Sequence, residues 1–298
     1  MESRSHTTRE ATRVVTAHHQ REGAGFVVRR PLPTAGLELL DPFLLVDEMG
    51  PVSYGPGQAV GAPDHPHRGF ETVTYVLEGE MEHEDSAGHH GLLRGGDVQW
   101  MTAGAGIVHS EMPSARMQRE GGLMHGFQIW VNLPARLKMT RPRYQEVPGS
   151  QIPQGRSDDG KATVRVVAGE ALGARAVIDT NTPIIFQEWT LQPGADVTVP
   201  FPADHNGLVY VFKGQARLGD QDTALTTGQL AVLGAGNAVR LRAGEEAGRL
   251  LLLGGVPLRE PVARYGPFVM NTRRELLEAM EDYESGRMGE ITRTAQVG

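Results

Sequence analysis

The residue types best suited to metal chemistry stand at the two ends of one stretch, from His65 to Glu111. It opens Asp64-His65-Pro66-His67-Arg68-Gly69-Phe70-Glu71 and closes Gly106-Ile107-Val108-His109-Ser110-Glu111. Each end carries two metal-capable side chains, two residues apart. On a β-strand, residues i and i+2 face the same way. His65 and His67 can therefore aim at one point, and so can His109 and Glu111. If the two strands lie side by side in a barrel, three imidazole nitrogens and one carboxylate converge. That donor set suits a divalent transition metal and is poor for calcium or magnesium, which want mostly oxygen. Four protein ligands leave one or two positions open on a five- or six-coordinate metal, the mark of a catalytic or ligand-binding centre rather than a closed structural one.

Other histidines in this part of the chain are His83, His89, His90 and His125. His89-His90 sit in Ser86-Ala87-Gly88-His89-His90-Gly91 and read as surface loop. His65 and His67 instead lead straight into the apolar alternation Thr72-Val73-Thr74-Tyr75-Val76-Leu77.

The elements that must position these ligands are short strands. Arg13-Val15, Gly25-Arg30 and Asp41-Glu48 read as strands, with a turn at Gly50-Pro51 and a Gly/Pro-rich loop over 51–63. Thr72–Leu77 is a strand, and Gly79 to Asp85 reads as its hairpin return. Val98–Met101, His109–Glu111 and Phe127–Leu133 follow, separated by glycine turns. Short strands at this spacing predict an all-β barrel or sandwich. Residues 1 to about 12 are polar and read as a frayed end. The proline-rich stretch 141–160 reads as a linker. Strands resume at Val164–Ala168, Ile184–Leu191, Leu208–Phe212, Leu230–Leu233, Val239–Leu241 and Leu250–Leu253. The expected domains are 1–140 with the metal ligands, 161–265 without them, and a C-terminal segment 266–298.

The second half repeats the first. Tyr75-Val76-Leu77-Glu78-Gly79 matches Tyr210-Val211-Phe212-Lys213-Gly214, and Gly104-Ala105-Gly106 matches Gly234-Ala235-Gly236. A near-constant offset with matching turns means a duplicated β-domain. The copy has lost the ligands: His109 and Glu111 map onto Val239 and Leu241, and His65 and His67 onto Pro200 and Pro202. His205 stands alone there and reads as a structural or surface residue. The chain ends in a helix capped by Asn271 or Thr272, with Glu275 completing a capping box. Leu276, Leu277, Met280 and Tyr283 share one face, and Gly286 ends it.

Composition bounds the function. The 298 residues are 39% hydrophobic and 22% charged, as in a soluble globular protein. A formal net charge of −7 argues against direct nucleic-acid binding as the main function. The absence of cysteine excludes disulfides, zinc–thiolate sites and a cysteine nucleophile. No signal peptide and no membrane span is visible, so a cytoplasmic protein is expected.

His65-Pro66-His67-Arg68-Gly69-Phe70-Glu71-Thr72-Val73, Gly96-Asp97-Val98-Gln99-Trp100-Met101-Thr102-Ala103-Gly104 and His109-Ser110-Glu111-Met112-Pro113 closely resemble the pirin family within the cupins. Trp130-Val131-Asn132-Leu133 and Gly266-Pro267-Phe268-Val269-Met270-Asn271-Thr272 resemble it too. The resemblance is densest over 40–145 and returns at 255–285. It implies two cupin barrels of jelly-roll type in one chain, with metal in the N-terminal barrel only. It implies iron(II) held by His65, His67, His109 and Glu111, with Cu, Ni, Mn, Co or Zn as alternatives. The general cupin pattern would place the glutamate at Glu71; the pirin pattern prefers Glu111.

For some members the resemblance implies quercetin 2,3-dioxygenase activity. A flavonol and dioxygen are then the substrates, and Glu111 is the proton acceptor. For others it implies a metal-dependent regulator that binds a protein partner. An enzyme needs an apolar pocket, which Phe70, Met101 and Gln128 can line. A regulator needs a charged exposed face, for which Arg68 is the candidate. Two barrels in one chain also predict a monomer, since the face that single cupins bury in a dimer is then buried internally.

Overall fold

A computed structural model describes residues 6–293. The described residues fall into two compact units interleaved in sequence. One gathers Met1–His18, Arg29–Leu44 and Gln151–Pro257, the other His19–Val28, Leu45–Ser150 and Leu258–Gly298. The outermost residues of the expected first and last domains, 1–5 and 294–298, lie outside the described residues.

In the unit that carries the histidines, a four-stranded sheet runs in the order Ala62–His67, Ile107–Pro113, Glu80–Asp85, His90–Arg94. The seven-stranded sheet runs Arg143–Val147, Val98–Thr102, Phe70–Glu78, Gly122–Asn132, Phe43–Tyr54, Phe26–Leu32, His18–Glu22. Alternation sets the buried faces: in Glu80–Asp85, Met81, His83 and Asp85 are buried while Glu82 is exposed. Gly79, at φ +96°, turns the chain between sheets. Glu80–Asp85 is therefore not the hairpin return of Phe70–Glu78; it pairs with Ile107–Pro113 and His90–Arg94.

The other unit repeats this topology. Its four-stranded sheet has the order Asp196–Pro200, Ala238–Ala243, Gln215–Leu218, Thr223–Thr226. Its seven-stranded sheet has the order Ala11–Thr16, Gln229–Leu233, Asn206–Lys213, Gly248–Gly255, Ile184–Leu191, Ala162–Ala168, Gln154–Arg156. The core includes Trp189, Leu191, Val199, Phe201, Val209, Val239, Leu241 and Leu252, all buried. Each such side chain contributes about 1.5–3 kcal/mol by leaving water.

Several expectations need correction. Of the expected frayed end, residues 1–5 lie outside the described residues and the rest is not frayed: Ala11–Thr16 pairs with Gln229–Leu233. Arg9 is only 2% exposed and donates to the carbonyls of Gly236, Gly234 and Pro202. A sheet edge leaves backbone groups unpaired, and this segment satisfies them. The strand Phe43–Tyr54 runs on through Gly50-Pro51. The stretch 141–160 is not a free linker, because Arg143–Val147 pairs with Val98–Thr102 and Gln154–Arg156 pairs with Ala162–Ala168.

The C-terminal helix, Arg273–Glu284, has the expected capping box of Thr272 and Glu275. Its buried residues are Leu276 and Ala279; Leu277 and Tyr283 are exposed, because the helix turns a narrower stripe inward than its apolar positions suggest. Among the described residues, no helix is long and apolar enough to cross a membrane.

Candidate metal centre

Two adjacent antiparallel strands bring the histidines together. His109 stands directly opposite His65, and Ile107 opposite His67. The cross-strand pairing and the i, i+2 spacing leave His65, His67 and His109 with ligand atoms all within 4.8 Å of one another. The ring centroids are 4.4–5.0 Å apart. His67 and His109 are buried, and His65 is half-buried.

The nitrogens of these rings fit a cation. His65 Nδ1 lies 2.7 Å from the Pro63 carbonyl, so it carries the proton and Nε2 presents a lone pair. The Pro267 carbonyl holds the His67 ring, whose Nδ1 is buried with no hydrogen-bond partner. Both nitrogens of His109 are buried and unpartnered. Orphaned buried nitrogens are costly, and a metal ion satisfies them. Burial first, and the neighbouring His65 ring second, hold His67 and His109 well below the ordinary histidine range. Both rings are therefore neutral at pH 7, the state that binds metal.

Glu111 is two residues beyond His109 and 7% exposed. A register irregularity intervenes between His109 and Glu111, so Glu111 pairs with Ala62. Its carboxylate is fixed by the Thr74 hydroxyl at 2.7 Å and by Gln128 Nε2 at 3.3 Å. Gln128 is held in turn by donating to Thr72 Oγ1 at 2.6 Å. Glu111 is not part of the 4.8 Å histidine group.

Glu71 is fully buried and accepts from the Thr102 hydroxyl at 2.7 Å. Glu71 has the numerical parity of His65 and His67 but not their strand. Their strand ends at His67, Gly69 turns at φ +89°, and Glu71 sits in the other sheet.

The surroundings are apolar on one side and polar on the other. Phe70 and Trp130 pack edge-on to His67 at 5.1 and 5.2 Å. An apolar cavity of about 30 Å³ reaches Glu111, walled by Phe26, Met49, Val52, Met81 and Met124. That volume admits one or two small molecules of water's size. Phe70 and Met101 are fully buried in packing, and Gln128 serves Glu111. On the polar side, His83 stands opposite Glu111 in the sheet, and its Nε2 is 2.6 Å from Glu146 Oε1. His89 pairs with Asp85, and His125 with the buried Glu48.

Arg68 is not a solvated charge. It is 5% exposed, donates to the Ala105 carbonyl at 2.6 Å and pairs with Asp282 at 2.7 Å. Thr74, His83 and Trp130 bear on the centre without having been singled out for it. The alternation of Thr72-Val73-Thr74 on a strand beside His67 was the signal for Thr74.

Both halves of the chain match family models. A family model described as Pirin matches residues 25–131, and one described as Pirin C-terminal cupin domain matches 186–289. A pirin-like protein of Solanum lycopersicum is 43% identical over 277 residues, covering 92% of this chain and 91% of the relative. Pirin of Homo sapiens is 42% identical over 287 residues, covering 95% of each chain. A crystal structure of quercetin 2,3-dioxygenase from Acinetobacter baumannii superposes with a TM-score of 0.90 at 38% identity, covering 96% of this chain and all of that one.

Proposed function

The chain belongs to the pirin family, and from that premise we propose that it is a mononuclear iron(II) dioxygenase able to cleave flavonols such as quercetin. In this reading His65, His67, His109 and Glu111 hold the metal. The protein is a cytoplasmic monomer with one metal per chain. The observation that carries the reading is the convergence of three imidazoles, two of them buried and neutral, with unpartnered nitrogens. The likeness to the Acinetobacter quercetin 2,3-dioxygenase supports the choice of reaction.

When bound, iron(II) with histidine and carboxylate ligands supplies oxygen chemistry and acidifies a coordinated hydroxyl. The chain's own residues do the rest. His65 is the half-buried ring, so substrate approaches from its side. Glu111 accepts the proton of the flavonol 3-hydroxyl. Thr74 and Gln128 fix the carboxylate so that it meets that proton in one orientation. Phe70 and Trp130 shield His67 from water.

The test is quercetin decay with oxygen uptake by protein loaded anaerobically with iron(II) and then exposed to air. Equimolar loss of quercetin and dioxygen is expected. Loaded protein that consumes neither would replace this reading with a metal-dependent regulator that binds a protein partner.

A further inference from the structure

The mouth of the second barrel is open, and its chemistry differs from that of the metal centre. Val199 pairs with Val239 in that barrel as His65 pairs with His109 in the first. Phe201 donates its N–H to the Asn237 carbonyl, two residues further on, and so stands where His67 does. The equivalents of His65 and His67 are thus Val199 and Phe201, not Pro200 and Pro202. The metal set has become apolar core, yet a cavity of about 1050 Å³ remains above it. That is the upper end of the ~300–1,000 Å³ typical of small-molecule sites.

We propose that this cavity binds a hydroxylated aromatic molecule, with His205 recognising its hydroxyl. Phe201, Ile184, Ile185, Pro200 and Pro202 give it apolar walls. His205 lines the cavity and is only 8% exposed. Its Nδ1 is 2.8 Å from Asp204 Oδ1, so Nδ1 carries the proton and Nε2 presents a lone pair. Among the described residues, the ring's hydrogen bond is the one made through Nδ1. A ring acceptor beside the apolar part of the cavity wall calls for a donor on an apolar body, and a phenolic hydroxyl is one.

The wall is also held in place before a ligand arrives. The Arg9 guanidinium lies 4.7 Å over the Phe201 ring and donates to the Pro202 carbonyl. The His205 N–H closes a turn onto the same carbonyl at 3.2 Å. Phe201 in turn stands edge-on to the His205 ring at 6.2 Å. A pre-formed wall lowers the ordering cost of binding. No metal is required, and binding here is independent of the first barrel's histidines.

The experiment is calorimetric titration of the metal-loaded full chain with 2-naphthol and with 2-methoxynaphthalene, which has the same rings and no donor. The wild type binds 2-naphthol about three- to tenfold more tightly than the methyl ether, the range for one hydrogen bond. His205→Phe loses that preference and keeps affinity for the ether. Asp204→Asn, at an exposed residue, weakens 2-naphthol in the same direction and serves if His205→Phe does not fold. His109→Ala leaves 2-naphthol binding unchanged. Equal affinity for the two probes in the wild type overturns the proposal. So do a full preference retained in His205→Phe, loss of binding in His109→Ala, or no binding at all.

Discussion

At the scale of single residues, the centre rests on two histidines that burial keeps neutral. His67 and His109 release their protons well below the usual histidine range, because a charged ring there would be stripped of water beside another ring. In the metal-free protein, protons therefore favour the unfolded chain. The stability these rings contribute is complete above about pH 6.5 and is lost as pH falls below it, by up to about 1.4 kcal/mol per pH unit for each ring. The urea midpoint of the metal-free protein should drop between pH 7.5 and 5.5; a midpoint that stays level would mean the two rings are not buried as described. The i, i+2 spacing of the ligands was legible because strand period alone sets it. The burial of Arg68 was not, because its partner Asp282 lies far along the chain.

At the scale of elements, the turn between the two sheets governs which acids reach the histidines. Gly69 separates the His65-His67 strand from the Phe70–Glu78 strand, at a positive φ and with a Cβ position that would run into the Val269 carbonyl oxygen. Lys138 Nζ binds both the Gly69 and Val269 carbonyls, at 2.7 and 2.9 Å, and fixes this turn. Gly69→Ala should destabilise the protein by about 1–3 kcal/mol and weaken metal binding as His67 shifts; unchanged urea midpoints would show that the turn adapts freely. A sequence of alternating residues carries no mark of where one sheet ends and the next begins. That is why parity alone does not exclude Glu71 from the histidines, and why Glu80–Asp85 reads as a hairpin return. The strands themselves, and the capping box of Thr272 and Glu275, were legible because each follows from local residue types.

At the scale of the whole molecule, one barrel keeps the proposed ligands, and their counterparts in its repeat are Val199, Phe201, Val239 and Leu241. Elemental analysis should therefore find about one transition metal per chain. His109→Ala, which removes one of the proposed ligands, should lose most of it; two tightly held metals per chain would mean a second site. Light scattering at micromolar concentration should give the mass of one chain, and a stable dimer would contradict the monomer proposed from the duplication. The duplication was legible from matching glycine turns, but its register was off by one residue at the first pair of ligands. Strand pairing, which sequence offsets do not show, settles that register. Turnover is proposed to depend on Glu111 as ligand and proton acceptor. Its most direct test is quercetin decay under air, normalised to bound iron, for Glu111→Gln beside Glu71→Gln. Glu111→Gln keeps the shape and loses the base, so iron-normalised turnover should fall by about 10²–10⁴ while Glu71→Gln stays close to wild type. Turnover per iron unchanged in Glu111→Gln would contradict it.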